Sequence, residues 1–530
     1  MPRPTESDRI LAALRDPACY PHAAEAVELI ETHISWVFLA GEYAYKIKKP
    51  VDLGFLDFGT LEKRRFYCEE ELRLNRRTAP ELYLGVVPIA EGAGGLRVDG
   101  IGKAIEYALK MRRFPQDALA DGMARRGELH ALEADAIAVA LAAFHAAIPA
   151  APEESRFGSP EHVAAPALEN FRQIDPLIAD PARTARLRAW TQSESARLGE
   201  VFAARKRGGF VRECHGDLHL GNLVFLGGRP LLFDCIEFNP DLRWIDVMSE
   251  IAFLAMDLRE HGLEAAAWRF LNGYLEATGD YDGVRVLRYY LVYRAVVRAK
   301  IACIREHQAG AGAAVQGRAH QEYGNYLALA EASADSVRPA IVLMHGVSGS
   351  GKTTVAQAML ERIGAIRVRS DVERKRLHGL EAQARTHARP YDGIYGPAST
   401  RLTYDRLKQC ARDIAGSGHC AIIDAAFLRR AERDEFRALA RGLGVPVLIV
   451  SCRASEGTLR SRVARREASM RDASEAGVRV LENQLATQEP LGADELACAA
   501  LIDSDWDEAQ LNEAIGAIAA RLEKTEAAHA

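Results

Sequence analysis

Residues 340–353 run Ala340-Ile341-Val342-Leu343-Met344-His345-Gly346-Val347-Ser348-Gly349-Ser350-Gly351-Lys352-Thr353. Pro339 and Gly346 bound a short apolar run, which predicts a buried strand, and a helix-like pattern follows Lys352. The eight residues from Gly346 fit G-x4-G-K-[ST]. In such a loop glycines let successive backbone N–H groups curl round a phosphate chain, and the helix N-terminus adds partial positive charge. Chance would place such a match in a chain of this length about once or twice in a hundred. Gly346, Ser348, Gly349, Ser350 and Gly351 are the expected cradle, with Thr354 beside it. Lys352 is expected to reach the β- and γ-phosphates of ATP, and Thr353 to offer its hydroxyl to Mg2+.

Downstream, the pattern keeps switching period. Strand-like runs at Ile366–Arg369, Cys420–Asp424, 446–452 and Ala499–Asp503 alternate with helical stretches. That alternation predicts an α/β P-loop NTPase domain with a parallel sheet, over residues 336–530. Asp424 ends its strand and is the candidate for the Mg2+ shell; the competing reading is a helix N-cap. Asp371 follows the second strand, where a substrate hydroxyl would meet the γ-phosphate. It is a candidate general base with Arg374 as an anion holder, unless it only caps the helix over 372–377. Arg460, Arg462, Arg465 and Arg466 crowd one predicted helix. Arg462 and Arg466 share a face and are candidates for transition-state charge on a closing lid; a solvated basic face is the alternative. Together these residues resemble the zeta-toxin and polynucleotide-kinase-like group of P-loop kinases over 339–501. The resemblance implies phosphoryl transfer to a hydroxyl without naming the acceptor.

Upstream of Arg338-Pro339 the character changes. Runs at 35–39 and Tyr43–Lys48, a helix from 61 to about 77, a hairpin through residues 91–95 and a strand near 103–113 predict a small β-rich lobe. Mainly helical patterns follow from Glu128, broken by a hairpin at 223–234 and by the small-residue loop 309–314. His215-Gly216-Asp217-Leu218-His219-Leu220-Gly221-Asn222 sets an Asp and an Asn five residues apart, and Asp234 ends the hairpin. Asp217 is placed to accept or orient a substrate hydroxyl, with Asn222 and Asp234 on Mg2+. This pattern resembles the aminoglycoside phosphotransferase and choline-kinase-like superfamily over roughly residues 30–330, with Gly216 where protein kinases carry arginine. The resemblance implies an α+β bilobal protein-kinase-like domain, here residues 1–335, and a strand lysine paired with a helix glutamate. Lys46 and Lys48 share a strand face and Lys46 is favoured; among Glu69, Glu70 and Glu71, Glu71 is favoured. Residues 110–115 look like the hinge where adenine would meet backbone groups. Glu237 stands where a second acidic metal ligand sometimes occurs. His145 reads as a packed helical histidine, and His215 as a brace for the loop.

The whole-chain properties are compatible with both halves. Lys+Arg 68 against Asp+Glu 73 gives a net charge of −5, which argues against nucleic acid as the partner and leaves small-molecule hydroxyl substrates. Nine scattered cysteines without CxxC spacing suggest reduced thiols in the cytoplasm rather than a zinc site or a disulfide framework. The N-terminus lacks a signal-peptide core, and the Ala-rich stretch 136–152 is too short and too interrupted to span a membrane. The tandem, with phrases such as residues 32–39 and 53–58, resembles a family of bacterial bifunctional proteins made of these two halves. The function expected is an ATP- and Mg2+-dependent phosphotransferase with two nucleotide sites. The alternative is that one half binds nucleotide without chemistry and gates the other.

Overall fold

The structure, a computed structural model, describes residues 6–527 apart from 55, 93–94, 179–180, 309–311, 336–337, 387–391 and 470–472. The tip of the hairpin expected at 91–95, part of the loop expected at 309–314 and the junction expected at 335/336 therefore lie outside the described residues. Chain contacts divide the molecule into two bodies: residues 1–129, 143–159 and 205–254, and residues 130–142, 160–204 and 255–530.

The first body is built on a six-stranded antiparallel sheet: β1 (Val27–Glu31), β2 (Ser35–Ala40), β3 (Tyr43–Lys48), β4 (Tyr83–Gly92), β5 (Gly95–Val98) and β6 (Lys103–Arg112), in the order β1-β2-β3-β6-β4-β5. Strand β1 has no counterpart in the sequence reading, because Val27-Glu28-Leu29-Ile30-Glu31 is short, carries two glutamates and has no fully buried residue. In β3 the period of two sends Tyr45 and Ile47 into a core with Trp36 and Phe38, and Lys46 and Lys48 to the opposite face. Helix Leu61–Asn75, capped by the Thr60 hydroxyl accepting from the Lys63 amide, buries Glu71. Two short pairs follow: β7 (Val211–Glu213) with β10 (Trp244–Asp246), and the hairpin β8 (Leu223–Leu226) with β9 (Arg229–Leu232). The hairpin turns on Gly227 and Gly228, both at positive φ, the requirement of a tight two-residue connection.

The second body holds a five-stranded parallel sheet, β11 (Ala340–His345), β12 (Ile366–Arg369), β13 (Cys420–Asp424), β14 (Val447–Arg453) and β15 (Ala499–Asp503), in the order β12-β13-β11-β14-β15. All six residues of β11 and all five of β13 are buried, which is why these strands read as continuous apolar runs. The chain leaves β11 toward β12 and later returns to its other side at β14. Such a reversal opens a crevice at the carboxyl ends of the strands, where open α/β sheets bind ligands. Helices from 160–204 and 255–335 belong to this body too; Val284–Glu306 and Ala313–Asp335 pack on one another.

One buried ion pair holds the far side of the second sheet. Arg433 Nε and Nη2 donate to the two Glu495 oxygens at 2.6 and 3.1 Å, and Nη1 donates to the Phe427 carbonyl at 2.9 Å, with both side chains fully buried. Arg433→Met strands a buried carboxylate, so we expect about 3–5 kcal/mol of lost stability in denaturant unfolding. The double variant Arg433→Met/Glu495→Met should recover most of it.

Candidate functional site

In the first body, five charged side chains meet where β3, helix Leu61–Asn75 and the segment after β9 converge. Lys46 Nζ lies 2.8 Å from Glu71 Oε1 and 2.5 Å from Asp234 Oδ1. Lys48 Nζ lies 2.8 Å from Glu71 Oε2 and also pairs with Glu237. The choice between two lysines thus resolves into both: Glu71 takes one on each oxygen, while Glu70 serves Arg73 and Arg243 and Glu69 serves Arg65. Burial pushes the Glu71 carboxyl up, but the two ammonium groups outweigh it and hold the pKa at about 2. Burial pulls Lys46 down, yet Asp234 and Glu71 together hold it well above its ordinary value. Glu237 is buried against Lys48.

The loop carrying Asp217 is pinned from below. Glu250 Oε1 accepts from the amides of His215 and Gly216 at 2.7 and 2.8 Å, and its Oε2 lies 2.8 Å from His145 Nε2. His145 is a packed helical histidine, as the sequence suggests. The His215 ring bonds the Phe233 carbonyl at 2.8 Å and ties the loop to the end of β9. Gly216 has φ +91°, and a Cβ there would lie 2.8 Å from the Leu242 carbonyl, which explains why a side chain is absent at this position. Asn222 donates to the Asp217 carbonyl at 2.9 Å and to Asp217 Oδ2 at 3.3 Å, and accepts from the Phe233 amide at 3.1 Å. Asp234 adopts φ +64°, held there by the Tyr83 hydroxyl accepting from its amide at 3.0 Å. Asp217, Asn222, Asp234, Lys46 and Glu71 therefore form one continuous constellation. Of the hinge expected at 110–115, the Arg112 and Arg113 amides are engaged by the Leu82 and Glu42 carbonyls.

In the second body the loop after β11 curls at the carboxyl end of the sheet. Gly346, Gly349 and Gly351 all have positive φ, and a Cβ on Gly346 would lie 2.4 Å from the Cys452 carbonyl. Lys352 begins helix Lys352–Ile363 and donates to the Val347 carbonyl at 2.9 Å; burial lowers its pKa, against the pull of Asp424. The Ser348 amide donates to Gln484 Oε1 at 2.7 Å. Thr353 is half-buried and Thr354 exposed on the first turn. Among the described residues, Ser350 Oγ and Asp424 Oδ2 are buried without a hydrogen-bond partner. A buried orphan carboxylate oxygen at the end of a central strand fits a divalent cation, as does the hydroxyl donor of Thr353.

The capping readings fail on geometry. Helix Ser370–Leu377 starts before Asp371, its N-cap is Arg369, and no side chain caps it; the helix after β13 starts only at Arg430. Arg374 donates to the Ile394 carbonyl at 3.0 Å and to Thr400 Oγ1 at 3.2 Å. Arg462 reaches the Gly349 carbonyl at 3.4 Å and Ser504 Oγ at 2.6 Å, and Arg466 donates to the Ala476 carbonyl at 2.8 Å. An open groove of about 580 Å³ lies along this helix, lined by Thr458, Arg462, Arg465, Ser504, Asp505 and Trp506. Sequence reasoning missed Glu250, Gln484 and Ser504, and set Lys48 second to Lys46. Each acts through a backbone group or a second charge, and such partners carry no motif.

These features define a kinase-type phosphotransferase that uses ATP, and the comparisons agree. A model of the "Phosphotransferase enzyme family" matches residues 66–287, and a model described as "AAA domain" matches residues 341–491. The chain belongs to the same family as the uncharacterized proteins Rv2004c of Mycobacterium tuberculosis and Mb2027c of Mycobacterium bovis. Each is 30% identical over 453 residues, covering 84% of this chain and 88% of the relative. The gluconokinase of Gluconobacter oxydans is 30% identical over 160 residues, 30% of this chain and 80% of that enzyme. Among solved structures, a choline/ethanolamine kinase family protein from Mesorhizobium loti aligns with TM-score 0.36, 11% identity, 61% of this chain and 99% of that chain. A gluconokinase from Sinorhizobium meliloti aligns with TM-score 0.26, 22% identity, 36% of this chain and 96% of that chain. No helix among the described residues is long and apolar enough to cross a membrane.

Two buried histidines of the second body lack a partner on Nε2: His345, next to Gly346, and His419. Burial is the first cause that lowers both to about 4. A folded-state pKa below the unfolded value of 6.5 means that the neutral ring's contribution is complete above pH 6.5 and is lost as pH falls toward 4. Each is worth on the order of 3 kcal/mol across that window. We expect the urea midpoint of this body to fall sharply between pH 7.5 and pH 5. His345→Asn, which keeps an acceptor or donor for Ser451 near Nδ1, should flatten that dependence.

Proposed function

We propose that this protein carries two separate ATP- and Mg2+-dependent phosphotransfer centres, the first within residues 1–335 and the second within 336–530, each acting on the hydroxyl of a small molecule rather than on nucleic acid. The observation that carries the reading is duplication: one body brings Lys46 to Glu71 and Asp234 and Asn222 to Asp217, and the other sets Lys352 and Asp424 at the carboxyl ends of its strands. In the first, Lys46, steered by Glu71, would meet the phosphates, and Asp217 would take the proton of the acceptor hydroxyl. In the second, the amides of 346–353 and Lys352 would cradle the β- and γ-phosphates, Asp371 would serve the acceptor hydroxyl, and Arg462 and Arg466 would stabilise developing charge. In both the acceptor oxygen forms a bond to the γ-phosphorus, the bond from that phosphorus to the bridging oxygen breaks, and ADP leaves. Bound magnesium supplies neutralisation of the phosphate oxygens; Asn222 and Asp234 would hold it in the first centre, Thr353 and Asp424 in the second. The nine cysteines, none in a disulfide and nearly all buried, support a reducing compartment, so we place the protein in the cytoplasm.

For the second centre the likeness to a gluconokinase supports a sugar acid such as gluconate as acceptor, its hydroxyl at Asp371 and its carboxylate near Arg374.

Radiolabelled γ-phosphate transfer from ATP into a metabolite extract tests the two-centre reading. Asp217→Ala should abolish one set of labelled products by about 10²–10⁴-fold and Lys352→Ala the other set, with both gone only in the double variant. Loss of every product in either single variant refutes independent centres and favours gating of one half by the other. With purified acceptors, sugar acids should stimulate ADP release in a reaction that survives Asp217→Ala and falls about 10²-fold or more with Asp371→Asn. Neutral alcohols outperforming all acids would reject the acceptor class.

A further inference from the structure

Strand β12 is an edge strand of the parallel sheet, with β13 on one side only. Its other edge is covered by helix Glu264–Thr278, a segment that falls within the residues matched by the phosphotransferase family model. Asn272 replaces a missing strand: its Nδ2 donates to the Ala365 carbonyl at 2.9 Å and its Oδ1 accepts from the Arg367 amide at 2.7 Å. Trp268 lies over Gly364, where a Cβ would come within 2.8 Å of the ring, and Arg269 pairs with Glu361 at 2.8 Å. One turn beyond Asn272, Glu276 Oε2 lies 3.2 Å from Arg367 Nη2 and Glu276 Oε1 lies 3.0 Å from Arg369 Nη1.

Arg369 is the register partner of Asp424 across β12 and β13, and its Nε stands 4.0 Å from Asp424 Oδ2. That oxygen is buried without a hydrogen-bond partner. A guanidinium and a carboxylate so placed close to about 2.8 Å unless something restrains them. Glu276 supplies such a restraint by holding Arg369 Nη1 at 3.0 Å.

We propose that Glu276 is a positioning residue for the second phosphotransfer centre: it draws Arg369 away from Asp424, so that this carboxylate keeps an oxygen for a divalent cation. The inference rests on the reading that Asp424 serves the metal. A helix from the segment assigned by likeness to the first enzyme thereby sets the metal affinity of the second. When Glu276 loses its charge, Arg369 closes on Asp424 and competes with the cation.

Manganese titration of the full-length, ADP-saturated protein, read by electron paramagnetic resonance, tests this. Asp424→Asn identifies the relevant manganese site by removing it. Glu276→Gln should weaken that same site about 3–10-fold and leave the other site unchanged, and Glu276→Asp should restore most of the affinity. Arg369→Gln added to Glu276→Gln should return the affinity to within about twofold, a rescue that a merely structural role of Glu276 would not produce. Unchanged manganese affinity in Glu276→Gln, or equal weakening with and without Arg369, overturns the proposal alone. If Asp424→Asn removes no site, the reading of Asp424 fails and the proposal with it.

Discussion

Glu71 is sealed from water with an ammonium group 2.8 Å from each of its oxygens, and that triad determines how the first body can be assembled. Three charges withdrawn from solvent are tolerable only when their geometry satisfies one another. Strand β3 must therefore present Lys46 and Lys48 to the helix, and no register slip of one residue is open to it, since that would turn both lysines into the apolar core. The same triad reaches Asp234 through Lys46 and Glu237 through Lys48, so the segment after β9 is held against β3 by charge. The second body follows the same rule with other residues. Arg433 is locked to Glu495 on one flank, and Arg367 and Arg369 are held by Glu276 on the other.

Against that background of paired charge, the unpaired polar atoms stand out. Ser350 Oγ in the loop after β11 and Asp424 Oδ2 at the end of β13 are buried without a hydrogen-bond partner, whereas Glu71, Glu237 and Glu495 each meet a cation. A desolvated oxygen without a partner is destabilising unless a ligand completes it. The loop after β11 and the end of β13 thus carry polar atoms that a ligand would complete. Asp234 carries a comparable burden in the first body, as a non-glycine residue held at positive φ beside the lysine it pairs with.

Much of this was legible in the chain because the chemistry of phosphate handling is local. The loop Gly346–Thr353 and the segment His215–Asn222 each place their groups within eight residues, so spacing alone exposes them. Three of the five parallel strands, β11, β13 and β14, needed only a continuous apolar run, while β12 was recognisable from the alternation Ile366–Arg369 and β15 from Ala499–Asp503 despite its exposed Leu501. What stayed hidden were contacts between residues far apart in sequence. Lys46 was favoured over Lys48 in the sequence, but Glu71 binds both, and the pairing of Lys48 with Glu237 had no signal in the chain. Glu250 carried no signal at all, since it acts by accepting two backbone amides.

By itself, the order of residues determined the two classes of fold, the two candidate phosphate-handling loops and the acids proposed to serve them, because glycine placement, strand periodicity and D-x4-N spacing are short-range properties of the chain. Only the tertiary structure decided which charges meet. It brought helix Glu264–Thr278 onto the edge of a sheet that begins about sixty residues later, and set Glu276, Arg369 and Asp424 in one row. The reason is physical: electrostatic partners are chosen by distance in space and by exclusion of water, and neither quantity is written in sequence separation.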